Sequence, residues 1–481
     1  MKRFLLALLL FAFPAALSAG ELRLFHAFSD HAVLQQQTSV PVWGWGKPGG
    51  KVTLKASWTS EKFTARIGSD GSWRASVRTG SAGGPYTLTV TSGREKLEIQ
   101  DVMLGEVWLC SGQSNMEMPM GGYGFQEIDG FREHLMEASE YAARIRVLQV
   151  KSDTTHVLQQ DIDAVWAQAD RDVFVWTSAV GYLFAKRLTR LLDVPVGIIV
   201  NAWGGSRIEP WMDAETVEKA PLTPADRKEI FALREHAGGW PHSVGTCWNG
   251  RMAPLAGYAV KGFLWYQGCS NIGQECYDIL QDAMVRLWRE KWGRGDLPFI
   301  YALLAPYSHG NADGRWRPYF VQIQMRAASL SPAVYPVCLE TLGEKETIHP
   351  SHKGAVADMM ALRALGSVYG RPVGIPIDYP TPREIDFQDD GRVRIRFHNV
   401  HGNLMSMTRR SVTGFELSGD DRVFHLAEAE VDHDGETVYV RCESVPHPVA
   451  VRYAYRNWMG ANLETSYGIP VPPFRTDHWA Y

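Results

Sequence analysis

The chain has 481 residues, 45% hydrophobic and 21% charged, enough apolar content for several packed cores and too much for a disordered or collagen-like protein. Lys+Arg 49 against Asp+Glu 53 gives a net charge of −4, so no basic excess exists to neutralise a nucleic-acid backbone. At ~150 residues per domain, this length argues for about three domains.

In chain order, Lys2 and Arg3 precede an apolar run from Phe4 to Leu17, broken only by Pro14 and followed by Ser18, Ala19 and Gly20. This pattern predicts a secretory signal over residues 1–19, too short for a comfortable membrane span. With no later stretch apolar enough to cross a bilayer, the expected protein is exported, periplasmic or extracellular. The sequence has no Asn-x-Ser/Thr acceptor, which favours a bacterial envelope over a eukaryotic secreted glycoprotein.

Residues 20–104 alternate short β runs with Gly, Pro, Ser and Asp turns and predict an N-terminal β-sandwich. Gly44-Trp45-Gly46-Lys47-Pro48-Gly49 matches the dinucleotide pattern GxGxxG. That pattern must open a helix, whereas Pro48 and the β-rich Lys51-Val52-Thr53-Leu54 follow, so a hairpin turn is expected instead. Residues 105–375 change to alternating strands and helices. Val107–Cys110, Val196–Val200, Gly262–Trp265, Phe299–Leu304 and Val334–Cys338 are nearly unbroken apolar runs suited to a buried parallel sheet. Ser178–Leu192 and Lys353–Val368 carry helical spacing, so the expected fold is an α/β domain with flanking helices. Residues 376–481 return to short β segments and predict a C-terminal β region. The six cysteines include no CxxC, and mostly free thiols are expected, with Cys269 and Cys276 the local pair to look for.

Ligands of open α/β sheets bind beyond the carboxyl ends of the strands. Those ends carry Ser111-Gly112-Gln113-Ser114-Asn115-Met116, then Trp203-Gly204-Gly205-Ser206-Arg207, then Tyr266-Gln267-Gly268-Cys269-Ser270-Asn271, and finally Ile348-His349-Pro350. Each piece has a bland reading as a turn, a tight backbone approach or a helix cap. Together they supply a nucleophile, backbone N–H donors, a side-chain amide and a base, the parts of an acyl-transfer site. The sequence has no GxSxG elbow, which disfavours the common α/β-hydrolase, and no HExxH or clustered Cys/His to suggest a catalytic metal.

Gly105-Glu106-Val107-Trp108 running into Ser111–Met116 closely resembles the nucleophile block of the sialate O-acetylesterase family, which belongs to the SGNH hydrolases. The likeness covers nearly the whole chain. Val33-Leu34-Gln35, Pro41-Val42-Trp43-Gly44 and Gly83–Leu88 resemble the family's N-terminal β domain; Trp203–Ser206 with Trp211, Trp265–Gly268 with Asn271, and Ile348–Pro350 with Lys353 resemble its later blocks. The resemblance implies Ser114 as nucleophile and His349 as base, with an oxyanion hole from the Ser114 and Gly205 N–H groups and the Asn271 amide. It implies an acetyl-enzyme hydrolysed by water, and so no cofactor.

Two departures stand out. The family's Asp two residues before the histidine is Thr347 here, leaving a Ser–His dyad, a backbone carbonyl, a distant carboxylate or the neighbouring Glu346 as candidates for the third role. Thr347 itself could hold the imidazole tautomer by a hydrogen bond, and an Asp placed there should raise the acidic limb of activity if the position faces His349. The family's Gly-Glu-Ser-Asn is Gly268-Cys269-Ser270-Asn271. The implied substrate is an O-acetylated sugar or glycan, foremost sialic acid, whose carboxylate calls for a cation, with Arg207 and Arg251 as possible sources, or for fixed N–H donors. The alternatives are acetylated xylan or another neutral glycan and, in a different class, non-catalytic glycan binding.

Overall fold

A computed structural model describes residues 20–372, 374, 377–407 and 411–479. The signal-like segment 1–19 and the division expected at 375/376 lie outside them. Between Arg23 and Ser92 the chain forms short strands, antiparallel in two groups apart from Val33–Gln35, which runs parallel to Met103–Gly105. Arg23–Leu24, Ser39–Trp45 and Ser72–Arg78 make one sheet. Lys51–Ala56 pairs with Lys62–Arg66 and Gly83–Ser92 in the other. Alternation directs Val40 and Val42, and Val52 and Leu54, into one shared apolar core. The Gly44–Gly49 turn therefore links strands of different sheets; it is not the expected hairpin, because Ser39–Trp45 pairs with Ser72–Arg78 instead of with the next strand.

The strand that matters most is β1, Glu95–Gly112. Its first half pairs with Gly83–Ser92 and its second half is the middle of the central sheet, so the expected division at 104/105 falls inside one continuous strand. The sheet also contains β2 (Ile145–Gln149), β3 (Trp166–Gln168), β4 (Val196–Ala202), β5 (Gly262–Tyr266), β6 (Phe299–Ala302) and β7 (Val334–Val337), in the order β3-β2-β4-β1-β5-β6-β7. All neighbours are parallel except β3, which runs antiparallel at the edge. Successive residues of β1 serve opposite faces: Trp108 and Cys110 join the core beneath the Ala179–Leu192 and Lys353–Ser367 helices, while Leu109 joins the core beneath Tyr277–Trp292 and Trp316–Ala327.

After Tyr379 the chain is β, with a third core formed by residues such as Val393, Phe415, Val438 and Val451. This C-terminal region is fastened to the central domain at Arg317. The buried guanidinium makes a two-pronged ion pair with Glu340 (2.7 and 2.9 Å), and its backbone N–H donates to Asn457 Oδ1 at 3.1 Å. Among the described residues no helix is long and apolar enough to cross a membrane.

Candidate active site

The four sequence blocks do meet at the carboxyl end of the sheet. β1 ends at Gly112, whose φ of +138° and whose approach to Tyr266 leave no room for a side chain: a Cβ would lie 2.3 Å from the Tyr266 carbonyl oxygen. The chain then turns through Gln113 into a four-residue helix that begins with Ser114. His349 arrives in the segment between β7 and the Lys353–Ser367 helix. Ser114 Oγ and His349 Nε2 are 2.8 Å apart, the distance for proton transfer from a hydroxyl to an imidazole.

The other ring nitrogen is held by a residue that the sequence reading missed. His349 Nδ1 lies 2.8 Å from Gln126 Oε1, and Gln126 Nε2 donates to Thr347 Oγ1 at 3.0 Å. Thr347 Oγ1 also accepts the His349 backbone N–H at 3.1 Å. This arrangement places the ring proton on Nδ1 and leaves the Nε2 lone pair for the serine. Glu346 does not fill the third role. Its side chain is 81% exposed and pairs with Lys345 Nζ at 3.4 Å, while the nitrogen it was to orient is taken by Gln126. Thr347 acts at one remove, through Gln126 and the backbone.

Behind this pair, Asn115 and Lys353 together hold the backbone on either side of His349. Asn115 Nδ2 donates to the Ile348 carbonyl at 3.0 Å; Lys353 Nζ donates to Asn115 Oδ1 at 2.8 Å and to the Pro350 carbonyl at 2.7 Å. Both side chains are buried. Burial pushes the Lys353 ammonium down to about 7. Burial, with the Lys353 charge adding to it, pushes the His349 imidazole down to about 4. Among the described residues no carboxylate offsets these influences at the ring, so the imidazole rests neutral near pH 7.

On the opposite side, Gly204 donates its N–H to Glu117 Oε2 at 2.7 Å. Burial pushes the Glu117 carboxyl up, with that hydrogen bond and the Arg251 charge opposing. Gly205 has φ +69° and lies against the indole of Trp240, where a Cβ would come within 2.4 Å of the ring. The backbone N–H groups of Ser114 and Gly205 have no partner among the described residues. Asn271 departs from expectation. Its Oδ1 accepts the Ile208 N–H and Gln267 Nε2, which fixes the amide, and its Nδ2 donates to Glu209 Oε2 (3.1 Å) and Gln274 Oε1 (2.5 Å). Both amide protons are thus committed to the scaffold behind the glycine segment, where the buried Glu209 carboxylate is a strong acceptor.

The two arginines are similarly committed. Arg207 spends its guanidinium on Glu209, the Ser270 carbonyl and Gln274. Arg251 is buried and bound to Asn201 and the carbonyls of Val150, Ser152 and Ala202. All six cysteines are free, including Cys269 and Cys276. Cys276 precedes the Tyr277–Trp292 helix, whereas the half-buried Cys269 has its thiol against the Gln113 side chain. Among the described residues no group of three or more His, Cys, Asp or Glu side chains is placed to hold a metal ion.

Comparison with known proteins bears on the same residues. A family model described as carbohydrate esterase, sialic acid-specific acetylesterase matches residues 104–365, more than half of the chain and all four blocks. The human sialate O-acetylesterase is 26% identical over 493 residues, covering 93% of this chain and 90% of that protein; the mouse enzyme is 25% identical over 541 residues, covering 95% of each. A crystal structure of a carbohydrate acetylesterase from Xanthomonas citri superposes with a TM-score of 0.83 at 30% identity, covering 95% of this chain and 100% of that one. The chain belongs to the sialic acid-specific acetylesterase family of carbohydrate esterases.

Proposed function

We propose that this esterase removes O-acetyl groups from sialic acids through an acetyl-enzyme on Ser114, with His349 as base and then acid. Ser114 Oγ attacks the acetyl carbonyl while its proton passes to His349 Nε2 across the 2.8 Å contact. The oxyanion is received by the Ser114 and Gly205 N–H groups, donors fixed in place before charge develops. As the tetrahedral intermediate collapses, the ester C–O bond breaks and His349 returns the proton to the sugar oxygen. Water then attacks the acetyl-serine, giving its proton to His349, and acetate leaves as that proton returns to Ser114. The observation that carries this reading is the doubly held imidazole: Gln126 on Nδ1, Ser114 on Nε2. The 105–375 parallel sheet is read as SGNH-like and the 20–104 region as a β-sandwich. The N-terminal pattern of Lys2, Arg3 and an apolar run supports export.

Deacetylation of neutral glycans such as xylan is favoured by one observation. Arg207 and Arg251, the cations expected for a sialate carboxylate, are both bound to internal acceptors. Acetate release from O-acetyl sialic acid and from acetylated xylan, measured side by side, separates the readings. Faster kcat/KM on the sialic acid supports the proposal; faster turnover of xylan overturns the substrate and leaves the mechanism. A serine-reactive probe that fails to label Ser114 would overturn the mechanism itself and favour a glycan-binding role.

A further inference from the structure

Tyr123-Gly124-Phe125-Gln126 closes as a tight turn. Tyr123 N–H donates to the Gln126 carbonyl at 3.0 Å and Gln126 N–H to the Tyr123 carbonyl at 2.8 Å, with Gly124 at φ +56°. Both stem residues hold the base: Gln126 through Nδ1, and Tyr123 by an edge-to-face contact with the His349 ring at 5.3 Å. The tip between them is Phe125, a residue fully exposed at 104% of its reference area. A bare phenyl ring on a turn pinned at both ends costs apolar hydration without contributing to any core.

The chemistry of the site says what belongs there. In the proposed mechanism the carbonyl oxygen points to the glycine side, while the oxygen that leaves with the sugar must lie beside His349 Nε2 to take its proton. Phe125 is carried by the turn whose two stem residues touch that same imidazole. The other exposed ring at the site, Trp240, stands on the glycine side and is already engaged, stacked on His236 at 4.4 Å and 16° and packed on Gly205. Sugar rings present apolar C–H faces that lie flat on aromatic rings, and a pinned two-torsion side chain loses little freedom in holding one.

We propose that Phe125 is the sugar-binding contact of this enzyme, a platform for the ring that carries the scissile acetyl group. The inference rests on the esterase reading above, so wild-type protein is assayed first on a mono-O-acetylated sialic acid and on ethyl acetate. A kcat/KM no higher for the sugar ester would sink the function reading, before any variant is considered. With that preference in hand, Phe125→Ala should lower the ratio of sugar-ester to ethyl-acetate kcat/KM by roughly tenfold, and Phe125→Trp should restore most of it. Phe125→Leu keeps apolar bulk without the flat face and should behave as Phe125→Ala. An unchanged ratio in the Ala and Leu variants overturns the proposal, whether the two rates hold or fall together, since a common fall would mean that the ring only shapes the turn.

Discussion

The two sides of the site are held by opposite kinds of chemistry. On the glycine side, the segment from Gly205 to Glu209 is set in a buried ionic network in which Glu209 accepts from Arg207, Asn271 and Gln274. On the histidine side, the ring is oriented by a neutral amide, Gln126, on a turn at the surface. The difference suits the tasks. The glycine segment must stay rigid while charge develops against it, and a desolvated network supplies that rigidity. As the proposed base, His349 must be neutral when substrate arrives, and an amide fixes its tautomer without the carboxylate charge that would raise its pKa.

The largest expected effect comes from removing the bond that joins the two sides. Ser114→Ala should lower kcat on an acetyl ester by roughly 10⁴-fold or more with the fold intact, as judged by an unchanged melting profile. Gln126→Leu should lower kcat by roughly 10²-fold, because Nδ1 loses its acceptor and the imidazole its fixed tautomer. Gln126→Glu is more informative, since a carboxylate at this position makes the histidine side resemble a charged triad. The acidic limb of kcat/KM should then move to higher pH, because a nearby negative charge favours imidazolium and a protonated base cannot accept the serine proton. On the glycine side the readout is stability. Glu209→Gln leaves Arg207 without its carboxylate and should cost about 3 kcal/mol in a denaturant titration. The smallest effect expected is from Glu346→Gln, whose side chain faces solvent; its kcat/KM should stay within about twofold of wild type.

How much of this was legible in the sequence divides along the same line. Ser114, Gly205 and His349 stand at the ends of apolar runs or in the loop after one, so strand patterning alone brings them to one edge of the sheet. β2 and the edge strand β3 were not anticipated, although Ile145-Arg146-Val147-Leu148 carries a β-like apolar pattern. Gln126 was invisible because its partner is 223 residues away and a turn residue has no periodic signal. The hint available was Gly121-Gly122-Tyr123-Gly124, a glycine-rich turn just after the helix that begins with Ser114. Glu346 was attractive only through proximity in sequence; in the folded chain its side chain faces solvent and pairs with Lys345. The direction of the Asn271 amide depends on Glu209, a buried carboxylate 62 residues earlier that no local pattern ties to it.

The central claim is that His349 works as a neutral base without a carboxylate partner, its pKa lowered by burial and by the Lys353 charge. The sign follows directly: activity requires unprotonated imidazole, so kcat/KM is lost as pH falls through the free enzyme's histidine pKa. That profile, measured on a simple acetyl ester over the pH range in which the protein stays folded, should place the acidic limb near pH 4, well below the ordinary histidine value of about 6.5. A limb at or above pH 6.5 would contradict the account, because it would require a negative charge at the ring that Gln126 does not carry.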